Sequence, residues 1–350
     1  MTGSSFATFG EVADAARERL EPDVWDYCAG GAGTEATLRR NRAALDALVL
    51  RPRALRDVSA CRAGATFLGI ELALPVMLAP VGTISLFDAG GAATCARAAE
   101  RAGTAAFVGV LSVPVLDEVA AASRAPLMYQ LYVRGDRAWT LEQAERAEAA
   151  GCRALCVTVD SAVDGRRERD LRNRFDRRSR QPRPNLGTAY ERVDLQATLT
   201  WPDIAWLAER TALPLVLKGV TDPADARLAV EAGVRGLVVS NHGGRQLDHQ
   251  RATIECLPEV LEAAGEQLDV AIDGGFERGA DVVKAVALGA RAVLIGKLMC
   301  FALAAGGEDA LVATLERLRA EVVNTLALLG ACGPDELTPD HVRPSPAPWT

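Results

Sequence analysis

The segment Leu237–Asp248, LVVSNHGGRQLD, places an imidazole, two glycines and a guanidinium at the end of one apolar run. A neutral imidazole accepts a proton near physiological pH, and a cation three residues away favours an anionic substrate. The chain has three histidines, His242, His249 and His341. His341 falls in a Pro-rich tail and His249 in a polar loop, so both read as surface groups. His242, between Ser240–Asn241 and Gly243–Gly244, is the candidate base.

Other polar groups end apolar runs in the same way: Gln130 and Tyr132, Thr158 and Asp160, Lys218, Asp273 with Gly274 and Gly275, and Gly296 with Lys297. A buried polar group costs about 1–3 kcal/mol unless it is paired. Structural pairing explains one or two such groups. Six runs carrying them at the same end point to a site. The glycines in DGG and IGK let backbone N–H groups approach a phosphorylated ligand, although Gly also simply ends strands.

The elements that position these groups are eight Val/Ile/Leu-rich runs at 75–81, 105–110, 127–133, 154–160, 213–220, 236–242, 270–275 and 292–297. Continuous apolar runs of this length suit parallel strands covered on both faces. Ala-rich helical stretches such as GAATCARAAERAG and GADVVKAVALGA lie between them, each closed by Gly. The pattern predicts an α/β chain folded as a (β/α)8 TIM barrel over 61–335, with its site at the C-terminal ends of the strands. Residues 1–60 read as an N-terminal helical cap, about 164–200 as a long loop inserted after the fourth strand, and 336–350 as a tail.

A net charge of −7 on 350 residues argues against general affinity for nucleic acid or anionic membrane. The insertion carries nine arginines from Arg166 to Arg183 against three acids. Only Phe175 interleaves them, so a lid over an anionic substrate is preferred to an RNA-binding strip. No run approaches the roughly 18 uninterrupted apolar residues of a membrane span, and no export signal is visible. The eight cysteines are scattered without metal-ligand spacing, as expected of reduced thiols in a cytoplasmic protein; no metal site is expected.

The run VSNHGGRQLD, with LKGV, QLYV, TVD…GRRE, DGG and the opening WDYCAGGAG, resembles the FMN-dependent 2-hydroxy-acid oxidases and dehydrogenases over about 6–335. The resemblance implies FMN as cofactor, a small 2-hydroxy acid as substrate, and assembly as a homotetramer or octamer. It implies that His242 takes the substrate proton with Asp160 behind it. It also implies that Arg167 and Arg245 grip the carboxylate and that Tyr27 and Tyr132 bond the carboxylate and the 2-oxygen. Lys218 would lie near flavin N1 and O2. Gln130, Thr158, Ser240 and the backbone at Pro80, Val81 and Gly82 would bind the ring system. Asp273, Gly274, Gly275, Arg278, Gly296 and Lys297 complete the implied cofactor set.

The departures from that resemblance bear on affinity and substrate. Glu277 stands where the family carries a phosphate-binding Arg, so Arg278 is expected to substitute; Lys297 replaces a second Arg. Leu111 stands in place of Trp, Gly82 in place of Ala and Asp164 in place of Leu. These smaller walls predict a bulky or aromatic substrate with a polar or cationic group, unless Asp164 pairs with Arg166. The methyl missing at Gly82 suggests room beside the flavin for a retained keto acid and some oxidative decarboxylation. Alternatives are an oxidase or monooxygenase tailoring a biosynthetic intermediate, a phosphate-sugar isomerase or lyase without flavin, and a non-catalytic scaffold.

Overall fold

Eight parallel strands close on themselves: β4 (Val76–Leu78), β5 (Ala106–Gly109), β6 (Leu127–Leu131), β7 (Ala154–Thr158), β8 (Leu215–Val220), β9 (Gly236–Val239), β10 (Asp269–Ile272) and β11 (Ala292–Ile295), with β11 paired back to β4. The computed structural model describes residues 6–177, 179–191 and 195–345. Nearly every strand position is buried, which is why the sequence runs are apolar without alternation. The strands end sooner than the apolar runs, so Tyr132, Asp160, His242 and the Asp273–Gly275 turn lie in loops just beyond them.

Inside the barrel, Met77, Phe107, Met128, Cys156, Val216, Val238 and Leu294 form one core. A hairpin of β2 (Ala65–Phe67) and β3 (Ile70–Leu72) adds Phe67, Ile70 and Leu72 to it. Its two-residue turn, Leu68–Gly69, takes φ of 50° and 71°, the left-handed pair that matches strand twist. Leu68 N–H donates to Asp269 Oδ2 at 2.6 Å, at the first residue of β10, so the hairpin plugs the N-terminal end of the barrel. The other end is left for the site. Strands this short carry almost no periodic signal, so the sequence pattern does not reveal this plug.

Three helices precede the barrel: α1 (Phe9–Arg19), α2 (Pro22–Ala29) and α3 (Ala36–Asp46). Thr8 caps α1 by accepting from Glu11 N–H at 3.2 Å, and Pro22 opens α2. The segment expected to be helical also contains a strand, β1 (Leu48–Leu50), which pairs antiparallel with β12 (Val342–Pro344). The tail therefore returns to the cap. The final helical stretch α12 (Lys297–Leu329), kinked at Gly306–Gly307, is apolar and long enough to cross a bilayer, but Leu303, Leu311, Leu315, Leu318 and Leu326 are buried in the core it shares with α1.

The insertion forms α7 (Glu168–Asn173) and two 3-10 turns before α8 (Trp201–Ala208). Its arginines meet the acids of the cap. Arg169 bonds Glu35 at 2.7 Å and Asp26 at 3.3 Å, Asn173 donates to Asp26 at 2.9 Å, and Arg180 pairs with Asp23. Single exposed pairs are worth little, but together these tie the insertion to α2 and α3. Arg169 and Arg180 of the charge run are therefore accounted for by the cap.

The loop after β9 grips the cap through Asp248, which accepts from Thr34 N–H, Thr34 Oγ1 and Thr37 N–H, each at 2.8 Å. These bonds satisfy amides at the start of α3. Burial raises the carboxyl's pKa, but the Thr37 and Thr34 bonds outweigh it and hold the group well below the usual carboxylate range. Asp248→Ala is expected to lower unfolding free energy by about 1–3 kcal/mol in urea titrations. A depressed folded pKa gives stability that is present above the unfolded value near 4 and lost as pH falls through the folded value. The stability gap between Asp248→Asn and the parent should accordingly narrow below about pH 4.

Candidate active site

His242, Gly243 and Gly244 take φ of 59°, 63° and 75°, three consecutive left-handed residues. For histidine that conformation costs on the order of 1 kcal/mol and persists only where its surroundings impose it. His242 N–H donates to Ser240 Oγ at 3.0 Å. Gly244 must be glycine because a Cβ there would lie 2.6 Å from Leu38 N in α3. Its carbonyl accepts from Ala32 N–H at 2.8 Å. Beside it, Asn241 and Asn41 exchange amide bonds of 2.9 and 2.8 Å in full burial. The cap thus holds the turn that aims the histidine.

His242 Nδ1 lies 3.0 and 3.2 Å from the two oxygens of Asp160, and Nε2 lies 3.3 Å from Tyr132 Oη. A carboxylate at Nδ1 holds the proton on that nitrogen and leaves Nε2 as the basic atom. Burial pushes the Asp160 carboxyl up, but His242 and Lys218 outweigh it and keep it below its ordinary range. Burial, then Asp160, raises the Tyr132 phenol to about 12, so it remains a donor. Asp160 can approach only because Gly219, at a register shift in β8 with φ of 112°, has no Cβ; one would sit 2.6 Å from Asp160 Cβ.

Arg167 and Arg245 both face the Tyr27 ring, at 5.7 and 4.9 Å from its centroid. Arg167 Nε donates to Arg245 O at 3.2 Å. Arg245 Nη1 bonds the carbonyls of Tyr27, Cys28 and Gly30 at 2.6, 3.2 and 2.9 Å, capping the end of α2, which leaves its Nε–Nη2 edge for a planar anion. Burial, then repulsion from Arg245, lowers Arg167 to about 10, still charged at neutral pH.

These groups open on one cavity of about 520 Å³ that also receives Pro80, Val81, Gly82, Lys218, Asp273, Gly274, Gly275, Arg278, Gly296 and Lys297. Lys218 Nζ donates to Ser240 Oγ at 2.8 Å and pairs with Asp273 Oδ2 at 2.9 Å. Burial pulls the ammonium's pKa down, but Asp273 and Asp160 hold it above the usual lysine range. Gln130, Thr158 and Ser240 do not line the cavity. They stand a layer behind it, Gln130 Nε2 bonding Thr158 Oγ1 at 2.9 Å. Asp273 Oδ1 is buried without a hydrogen-bond partner among the described residues, next to Gly274 and Gly275 at φ of 104° and 86°. An unsatisfied acceptor, a fixed cation and a glycine turn on one wall fit a flavin with its hydroxylated chain.

At the far end, the amides of Glu277 and Arg278 donate to Asp281 Oδ2 at 3.1 Å each and Gly279 N–H to Glu321 at 2.8 Å. The start of α11 (Gly279–Ala287) is therefore occupied by carboxylates. Glu277 and Arg278 are exposed. The start of α12 at Gly296–Lys297 faces the cavity, the arrangement of a helix N-terminus that takes an anion. Lys297 Nζ bonds Ala29 O at 2.7 Å and Gly30 O at 3.1 Å; burial, then Arg245, lowers it to about 7.

Three features were not legible in the sequence. Thr83 Oγ1 donates to Tyr27 Oη at 3.0 Å, setting the phenol. Gln181 reaches from the insertion to Ser85 Oγ, Gly82 O and, at 2.8 Å, Leu111 O. Asp164 pairs with Arg177 rather than with Arg166, and both line the cavity. The space expected at Gly82 is also not open, because a Cβ there would lie 2.8 Å from Leu111 Cβ.

Residues 16–344 match the family model described as FMN-dependent dehydrogenase. Glycolate oxidase 3 of Oryza sativa subsp. indica is 39% identical over 347 residues, covering 95% of each chain. An L-lactate oxidase of a Nostoc species is 40% identical, covering 91% of this chain and 93% of its own. A mandelate oxidase crystal structure with 3,3-difluoro-2-hydroxy-3-phenylpropionic acid superposes with a TM-score of 0.87 at 40% identity, covering 94% and 97%. A chimeric (S)-mandelate dehydrogenase gives 0.92 at 32%, covering 96% and 99%.

Two outcomes are expected from this geometry. Gly82→Ala must displace the Leu111 backbone and should cost about 1–3 kcal/mol of stability in thermal or urea unfolding, as overpacking does. FMN phosphate beside Lys297 would raise that ammonium's pKa. Affinity should then be full below pH 7 and fall with rising pH, by up to about tenfold per unit. Lys297→Arg should flatten this dependence in flavin-fluorescence titrations, since guanidinium stays charged.

Proposed function

The chain belongs to the FMN-dependent dehydrogenase family, and on that footing we propose that it oxidises 2-hydroxy acids with side chains larger than methyl, His242 serving as the base and dioxygen as the electron acceptor. FMN-dependent oxidation of a 2-hydroxy acid to the 2-keto acid is the activity of the family members it resembles along nearly its whole length. The observation that carries the assignment of roles is the arrangement around His242: Nε2 faces Tyr132, Nδ1 faces Asp160, and Arg167 and Arg245 flank Tyr27 on the same cavity.

FMN, when bound, accepts the electron pair that leaves substrate C2. Arg167 and Arg245, both near the Tyr27 ring, bind and orient the carboxylate. Tyr132, kept protonated by burial, donates to the 2-oxygen. His242 Nε2 takes the proton released from the carbinol, and the buried Asp160 carboxylate stabilises the imidazolium. Lys218, held charged on the cavity wall by Asp273, would supply positive charge to the flavin ring. Gly274, Gly275 and Asp273 Oδ1 would hold the hydroxylated chain, and the α12 start with Lys297 and Arg278 would hold the phosphate.

Substrate size is supported by Leu111, which lines the cavity without an aromatic ring, and by a mandelate oxidase structure that contains a phenylpropionic acid. The acceptor is supported by three similar proteins that are oxidases. Anaerobic bleaching of the flavin with glycolate, lactate, 2-hydroxybutyrate and mandelate, followed by peroxide measurement in air, tests both. His242→Asn should retain FMN but reduce the flavin on the order of 100- to 10,000-fold more slowly. Bleaching at the parent rate in that variant would reject His242 as the base, and preference for glycolate would reject the size assignment.

A further inference from the structure

The eight cysteines fall into two groups. Cys28, Cys95, Cys152, Cys156, Cys256 and Cys300 are buried, whereas Cys61 and Cys332, both free thiols, keep partial access to solvent. Far apart in sequence, these two meet where the linker between β1 and β2 runs along the turn after α12. Gly330 closes α12 with φ of 77°, and a Cβ there would strike Arg53 O. Arg53 N–H donates to Leu329 O at 2.9 Å and Arg62 N–H to Cys332 O at 2.8 Å. Arg62 also pairs with Asp335 at 2.7 Å. The bond from Arg62, the residue after Cys61, to the carbonyl of Cys332 sets the two cysteines side by side. Each thiol reaches across to the other's segment: Cys61 Sγ lies 3.4 Å from Ala331 O, and Cys332 Sγ 3.1 Å from Asp57 O. Partial burial, then the neighbouring Cys332, push the pKa of the Cys61 thiol up.

We propose that Cys61 and Cys332 are a site of oxidative modification: a small disulfide converts them to a cystine that staples the cap-to-barrel linker to the end of α12. A protein disulfide needs neighbouring α-carbons and side chains that point together. The Arg62–Cys332 backbone bond supplies the first condition and the crossed thiols the second. Only weak S–H contacts to carbonyls are given up. Cys332, as thiolate, attacks one sulfur of the oxidant and displaces a thiolate. Cys61, as thiolate, then attacks the Cys332 sulfur of the mixed disulfide and displaces the second. The oxidant's S–S bond breaks, the protein's forms, and the two cysteine protons end on the two released thiols. The loop so closed contains all eight barrel strands, so the restriction falls on most of the unfolded chain. The linker follows β1, which pairs with β12, and the staple fastens this joint between cap and barrel. Neither cysteine lines the cavity, so the chemistry at His242 is untouched.

The test oxidises the full chain, loaded with FMN, using glutathione disulfide at about pH 8.5, where thiolates form. Peptides are then mapped by mass spectrometry without reduction. One linked pair containing Cys61 and Cys332 is expected, and thiols titrated in denaturant should fall by two from the eight of the reduced chain. The thermal midpoint should rise by on the order of 5 °C and return on adding dithiothreitol. Cys61→Ser and Cys332→Ser should each abolish both the linked peptide and the rise. Every variant is compared with itself before and after oxidation, so any stability lost to the substitution cancels. Glutathione carried separately on the two cysteines, a link between other cysteines, or no loss of thiols overturns the inference. A linked protein whose midpoint does not move overturns the staple as well.

Discussion

The site depends on one strained turn. His242–Gly244 stays in left-handed conformations because the cap closes on it: Ala32 N–H bonds Gly244 O at 2.8 Å, Leu38 excludes a side chain at Gly244, and Asn41 is locked to Asn241. Left-handed φ at histidine is tolerated only under such constraint. The reward is directional. The ring is presented with Nδ1 on Asp160 and Nε2 toward the cavity, and Arg245, one residue beyond the turn, reaches back to cap α2. The barrel supplies strand ends, but the N-terminal helices make them an active site.

The same coupling explains why cations serve two masters here. Arg245 and Lys297 both donate to carbonyls at the end of α2, satisfying groups that a helix C-terminus otherwise leaves bare. Their position is therefore set before any ligand arrives, which lowers the cost of ordering them around an anion. The insertion is organised by similar means. Arg169 and Arg180 are held by acids of the cap, and Gln181 bonds the backbone of Gly82 and Leu111, so the wall over the site is anchored at both ends.

Much of this was legible in the residues. Continuous Val/Ile/Leu runs announce strands buried on both faces, and Gly-closed Ala-rich stretches announce the helices between them, because burial and capping are written locally. Polar residues closing those runs marked His242, Tyr132, Asp160, Lys218 and Asp273, since apolar strands tolerate such groups only at an end. The hairpin at Phe67–Ile70 was invisible because two three-residue strands have no measurable period. The strand Val342–Pro344 was likewise hidden, since it forms only by pairing with Leu48–Leu50, far away in sequence.

By itself, then, the sequence determined the barrel, the order of its elements and the residue types at the strand ends, all consequences of short-range pattern. Only the tertiary structure decided which of those residues touch. It set Gln130, Thr158 and Ser240 behind the cavity rather than in it, matched Asp164 to Arg177 instead of Arg166, and filled the space at Gly82 with Leu111. It also brought Thr83 to Tyr27 and Asn41 to Asn241. Such contacts join positions tens to hundreds of residues apart, and their energy depends on ångström-scale distances that no local pattern encodes.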